Sequence, residues 1–306
     1  MIELAVHLDP PRLSGQKRFL SRRRLQDIRT EGLADRGFEA RGWARLLEAL
    51  PPELACRPVT RVYLGSEFCP ALGVPRRELE RAVDSLRANG LDATVVLGPV
   101  RQTAVGGTTV LLRRLARRSQ ALEVVANDWG TLAGLAGLGV VPVAGRLLFR
   151  MKRLPRFSAQ TRPAPRTPRW RAVLAAQMKE LSRCPADIPW FTRLLRAADV
   201  ARLDTEIVPQ GVRLEGRSPV KLSLLLPWTY VTGGGHCPVS DASGLGQPLR
   251  CGRACRESWI VPRFPYPTWP LVQVGHTVFA SMSALLGEYL RRRIYDRYVL
   301  EPRLPR

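Results

Sequence analysis

The chain has 306 residues, 45% of them apolar, enough to bury a sizeable core and too apolar for a disordered tail. Its formal charge of +22 is carried mostly by arginine, in runs such as Arg22–Arg24, Arg113–Arg118 and Arg291–Arg293, because there are only four lysines. No basic start with an apolar stretch behind it marks a secretory signal. The longest uncharged apolar run, Thr131–Gly145, is broken by glycine and proline and too short to span a bilayer, so a soluble, cytoplasmic protein is expected.

Residues 1–58 read as a basic N-terminal extension with short helices. SRRRLQDIRTEGL forms a basic helix or arm, and RGWARLLEALP (residues 41–51) is amphipathic. From Arg61 the pattern becomes regular. RVYLG (61–65) is a strand, PRRELERAVDSLRANG (75–90) a helix between proline and glycine punctuation, and ATVVLG (93–98) the next strand. TTVLLRRLARRS (108–119) follows as a helix and LEVVA (122–126) as a strand. DWGTLAGLAGLG is then helical, and VVPVAG (140–145) is again a strand. Proline and arginine break the periodicity over 150–170 and predict a loop-like insertion at about 153–169. A helix at 189–199, strands ARLDTEIV and KLSLLLPWTYV (221–231), a strand at 270–280 and a closing helix at 283–299 complete the chain.

Short β-branched runs alternating with helical patterns define βα units over residues 59–306. The fold class expected is α/β, with TIM-barrel-like repeated units, whether regular or incomplete and distorted. An open doubly wound sheet is the alternative.

Cys237, Cys251 and Cys255 fall within nineteen residues in the spacing C-x13-C-x3-C. Cys69 ends VYLGSEFCP, just beyond a predicted strand, as Cys237 lies just beyond KLSLLLPWTYV. Parallel strands gather the loops after their carboxyl ends on one side, so residues 168 apart in sequence can meet there. Clustered cysteines in a reducing compartment point to metal rather than disulfides, and soft thiolates select zinc, iron–sulfur or copper. The spacing lacks the two tight pairs of a zinc ribbon and suits a 4Fe-4S cluster better, although a zinc-stapled scaffold stays open. His236 is a further possible ligand. Cys56 and Cys184 stand apart as incidental or buried thiols.

No GxSxG, HExxH or P-loop occurs, so hydrolase and nucleotide chemistry have no motif here. Asp128, in VVANDWG, sits where a barrel would present a functional group, or caps the helix that follows. Arg146 and Arg150, in VAGRLLFRMKRLPR, hold an anionic substrate or belong to a solvated basic loop.

VYLGSEFCP, VVANDWG, VAGRLLFRMKRLPR and the late C-x13-C-x3-C, in that order, resemble the peptidase U-32 family from about Arg61 to about Phe279. Within it the likeness is to the iron–sulfur branch serving oxygen-independent ubiquinone biosynthesis. That resemblance implies a 4Fe-4S cluster on Cys69, Cys237, Cys251 and Cys255 and a UbiU-like partner in a heterodimer. It also implies a quinone-precursor substrate and a link to prephenate as oxygen donor, with hydroxylation and not proteolysis as the activity. Relatives that modify tRNA or rRNA bases make RNA the other partner to consider. The basic start and the insertion at 153–169 depart from the family pattern.

Overall fold

The computed structural model describes residues 2–8, 37–119, 121–149, 151, 167–216, 218, 220–234, 237–239, 251–256, 258–262, 270–292 and 294–305. The basic arm around Arg22–Arg24, Arg150, His236 and nearly all of the 153–169 insertion lie outside these residues. So does Arg293.

Eight parallel strands close into a barrel. They are β1 (Glu3–Leu8), β2 (Arg61–Gly65), β3 (Asp92–Leu97), β4 (Glu123–Ala126), β5 (Val141–Ala144), β6 (Arg202–Glu206), β7 (Lys221–Leu226) and, after three strands of another sheet, β11 (Arg297–Leu300). Strand β11 pairs with both β7 and β1, so closure is complete and the open sheet is excluded. Two boundaries differ from the sequence reading. Glu3–Leu8, which the sequence reading placed in the basic extension, is the first barrel strand, paired with β2 and β11. The expected closing helix at 283–299 is instead a short helix and then β11. Tyr298, Val299 and Leu300 are β-favouring residues whose edges β1 and β7 satisfy.

Between β7 and β11 a three-stranded antiparallel sheet is inserted: β8 (Trp228–Gly233), β9 (Leu271–Val274) and β10 (Thr277–Ser281), in the order β8-β10-β9. KLSLLLPWTYV was expected to be one strand. Pro227 has no N–H to continue a ladder, and the chain leaves the barrel there to join the second sheet. The predicted strand 270–280 is likewise a hairpin, turned at Gly275, whose φ is 59°.

The helices cover the barrel through apolar stripes. In α3 (Arg76–Ala88), Leu79, Ala82, Val83 and Leu86 are buried at the i, i+3, i+4, i+7 spacing of an amphipathic helix. The other helices are α1 (Gly37–Ala49), α2 (Pro52–Ala55), α4 (Val105–Ala116), α5 (Trp129–Gly134), α6 (Pro168–Leu181), α7 (Pro189–Ala197) and α8 (Leu286–Leu290). The sequence reading lacked α6, which buries none of its side chains and therefore has no amphipathic core face to betray it.

Helix α1 meets the indole of Trp228 at Gly42. A Cβ there would lie 2.8 Å from Trp228 Cζ2 and closer still to Cη2. Gly→Ala in a helix normally stabilises by up to about 1 kcal/mol. Against a fully buried indole the clash dominates, so Gly42→Ala is expected to lower stability by about 1–3 kcal/mol in urea unfolding.

Period-2 alternation stacks the barrel interior in layers. Glu3, Arg61, Glu123, Arg202 and Arg297 form a charged layer at the amino ends, where Arg297 pairs with Glu3 and Glu123 at 2.6 Å. Ala5, Tyr63, Val96, Val125, Val143, Leu225 and Val299 form an apolar layer above it. Burial alone would raise Glu123, but the hydrogen bonds and charge of Arg297, then Arg61, hold it down to about 2. Its contribution to stability is complete above the ordinary carboxylate value of 4.5 and is lost as pH falls toward 2.

Asp204 has the opposite sign. Burial beside Tyr63 pushes it up to about 6, so it weakens the fold above that pH and relieves the cost as pH falls toward 3.8. Asp204→Asn is expected to raise stability at pH 7 and to abolish that acid-side gain, as read by urea midpoints across pH.

Candidate metal centre

Both halves of the cysteine set lie at the carboxyl end of the barrel. Cys69 follows β2 across Ser66, Glu67 and Phe68, and Cys237 follows β8 of the inserted sheet. Phe68 stacks on Tyr230 with centroids 5.3 Å apart and meets Phe279 edge-on at 5.1 Å. The His276 ring, at the β9–β10 turn, donates through Nε2 to Phe68 O at 3.2 Å. Phe68, Leu72, Trp228, Cys255, Val272, Val274 and Phe279 share one buried cluster, with Cys69 packed against it. The inserted sheet is thus clamped to the loop that carries Cys69.

The thiols converge in that clamp. A Cβ at Gly275 would lie 3.6 Å from Cys255 Sγ and 3.8 Å from Cys237 Sγ, so the glycine leaves a cradle beside both sulfurs. Burial pushes the Cys69 thiol up, and Cys251 and Cys237 are near enough to add to the effect. Backbone N–H groups of Ala71 and Leu72 hydrogen-bond Cys69 and pull the other way. Arg253 N donates to Cys251 Sγ at 3.4 Å. Arg253 itself holds φ 59°, a left-handed turn for a non-glycine residue between two cysteines. Cys255 is buried, and Cys69, Cys237 and Cys251 are half-buried.

Four soft donors, the N–H of Arg253 directed at Cys251 Sγ and the open space beside Gly275 fit a group held by thiolates, with Cys69, Cys237, Cys251 and Cys255 as its holders. Among the described residues, the trio of His, Cys, Asp or Glu whose donor atoms all lie within 4.8 Å of one another is His7, Glu67 and Glu301, not three thiols. Tetrahedral zinc, with Zn–S near 2.3 Å, needs sulfurs about 3.8 Å apart. No three of the four thiols are drawn together to the 4.8 Å spacing of that trio. Cys56, exposed, and Cys184, buried with its thiol pushed up to about 12, stand outside the four.

Asp128 is the N-cap of α5. It accepts from Thr131 N at 2.7 Å, from Thr131 Oγ1 at 2.6 Å and from Val100 N at 3.1 Å. Asp128→Ala is expected to cost about 1 kcal/mol in thermal unfolding and to leave the metal content unchanged, whereas Asp128→Asn retains most of the cap. The neighbouring Asn127 ties Leu97 O to Leu147 N, joining the ends of β3 and β5.

Arg146 is neither in a solvated loop nor open to a substrate. It is fully buried, and each of its three nitrogens donates inward: Nε to Glu67, Nη2 to Glu301 and Nη1 to Trp228 O at 3.0 Å. Glu206 Oε2 lies 3.7 Å from Nη1 and accepts from Tyr230 N at 2.7 Å. The Phe68 ring sits 5.3 Å from the guanidinium carbon. His7 Nδ1 meets Glu301 Oε1 at 3.2 Å. Burial works against charging His7, but the Glu301 hydrogen bond and the Glu67 and Glu301 charges outweigh it and raise its pKa.

The sequence reading missed His7, Glu67, Glu206 and Glu301. Their signal was alternation: Glu3-Ala5-His7, Arg202-Asp204-Glu206 and Arg297-Val299-Glu301 put ionisable groups on the inward face of apolar strands.

No family model matches the chain, and no curated protein does. Among solved structures, the U32 peptidase Mk0906 aligns with 98% of this chain and 92% of its own, at 10% identity and a TM-score of 0.39. Dihydropteroate synthase (FolP) from Thermus thermophilus aligns with 98% of this chain and 88% of its own, at 10% identity and a TM-score of 0.37. At these values neither likeness settles family or activity. No helix among the described residues is long and apolar enough to cross a membrane.

Proposed function

We propose that Cys69, Cys237, Cys251 and Cys255 hold a 4Fe-4S cluster, in a UbiV-like member of the peptidase U-32 family. Its activity is then oxygen-independent hydroxylation of a ubiquinone precursor. The observation that supports the cluster is that Cys69, on the β2 loop, lies near enough to Cys237 and Cys251 to feel their charge, while Cys255 and Cys237 flank Gly275. Pathway and substrate rest on the motif resemblance.

A bound cluster would supply one-electron chemistry at a site whose potential answers to N–H···S bonds and burial. The chain's own contribution is to fix the sulfurs. The Phe68–Tyr230–Phe279 packing shields one side, and Ala71, Leu72 and Arg253 direct N–H groups at the ligands. Four thiolates close the coordination shell, which favours electron transfer or structural support over substrate binding at iron. A UbiU-like partner in a heterodimer would then complete the substrate site, with prephenate a candidate oxygen donor. The exposed Trp170, Val173, Trp190 and Leu194 of α6 and α7 offer apolar surface for such a partner.

Anaerobic purification followed by iron and acid-labile sulfide analysis tests the cluster. A brown protein with about four irons and four sulfides per chain is expected. A colourless protein carrying only zinc overturns it.

The exposed Arg77, Arg81 and Arg87 on α3, Arg113 on α4 and Arg117 just beyond its end, within a chain of +22, favour one alternative, an RNA-modifying relative. Tight tRNA or rRNA binding that falls steeply with salt would select it.

A further inference from the structure

The buried trio at the barrel mouth has no part in the cysteine site, although Glu67 and Cys69 share a loop. His7 reaches it from β1, Glu67 from the β2 loop and Glu301 from the end of β11. Their donor atoms lie within 4.8 Å of one another, and all three side chains are buried. We propose that His7, Glu67 and Glu301 form a divalent-cation site, for an ion of the Mn2+ or Fe2+ class, at the carboxyl end of the barrel.

Three observations point to a cation. The first is the imidazole. Gly65 O can only accept, so the 3.0 Å bond to His7 Nε2 assigns that nitrogen the proton. Nδ1 faces Glu301 Oε1 at 3.2 Å, a contact that calls for a positive species, an imidazolium proton or a metal ion, between them. A metal-bound histidine usually donates its other ring N–H to a backbone carbonyl or carboxylate, as Nε2 does here to Gly65 O. The second is a pair of orphans. Glu67 Oε1 and Glu301 Oε2 are buried without a hydrogen-bond partner, on side chains 0% and 1% exposed. Such atoms cost the fold unless an ion or proton engages them.

The third is charge. Among the described residues, Glu67, Glu206 and Glu301 gather three carboxylates around the Arg146 guanidinium, so acidic groups outnumber the fixed cation there. A divalent ion held by the trio would offset that excess. A donor set of one imidazole and two carboxylates, without sulfur, suits Mn2+ or Fe2+ and separates this site from the four thiols. In a (βα)8 barrel this end is where functional groups gather.

The test uses the full-length protein, stripped with a chelator and titrated with Mn2+ alone, the free ion being followed by EPR. One bound Mn2+ per chain is expected, with a raised unfolding temperature and a single imidazole nitrogen coupling in pulsed EPR. His7→Gln should abolish that coupling, and Glu301→Gln should weaken binding by about 100-fold or more. Cys69→Ser should bind as the wild type does, which keeps this site separable from the cluster. Wild-type protein that leaves all Mn2+ free overturns the proposal, whether or not the variants fold. Binding that survives both His7→Gln and Glu301→Gln in proteins folded by circular dichroism, or that disappears in Cys69→Ser, overturns it as well.

Discussion

Cys69→Ser is expected to purify as a folded barrel whose iron and sulfide are reduced about tenfold or more relative to wild type. The substitution replaces one atom on a half-buried loop residue and touches none of the apolar layers that close the barrel. Its effect on far-UV circular dichroism should therefore be small. Its effect on the metal should be large, because Cys69 is the only one of the four thiols that comes from outside the inserted region. The remaining three would leave one edge of the core without a ligand, next to the aromatic wall of Phe68 and Tyr230. Serine offers a hard oxygen with a far higher pKa than a thiol and does not replace it. Cys56→Ser, on the exposed end of α2, supplies the control and should retain the full complement. A fully loaded Cys69→Ser protein would remove the remote cysteine from the ligand set.

The barrel was legible because its strands are β-branched runs set between helices with proline starts and glycine stops, as at Pro75 and Gly90. What escaped did so for physical reasons. Glu3–Leu8 is followed by a long basic stretch instead of a helical pattern, and its partners β2 and β11 are distant in sequence. Pro227 sits inside an apolar run that looks continuous, although the chain changes sheets there. Among the site residues, the cysteines were visible by type and spacing alone. Arg146 was visible only as a charge after a strand. Its burial depends on Glu67, Glu206 and Glu301 arriving from three other strand ends, which no local pattern encodes.

That convergence makes Arg146→Met the most damaging single change expected outside the cysteine set. The side chain joins the β5 exit to the β2 loop through Glu67, to β6 through Glu206, to the β7 exit through Trp228 O and to β11 through Glu301. Methionine fills much of the volume but leaves three buried carboxylates without their counter-charge. Removing one partner of a buried ionic set typically costs about 3–5 kcal/mol. A domain's whole stability is about 5–15 kcal/mol. Urea unfolding in the presence of a chelator should therefore show a loss on that scale, or no cooperative fold at all. If uncompensated charge is the cause, adding Glu67→Gln and Glu301→Gln to Arg146→Met should recover a substantial part of the loss, because the desolvated charges go with their partner. If the triple variant is no more stable than Arg146→Met, the network contributes through shape and hydrogen bonding, not charge balance. The same variants report on the metal. The Phe68 ring rests against Arg146, and Cys69 is the next residue, so Arg146→Met should lose iron together with stability, while the recovered triple variant should regain some of both.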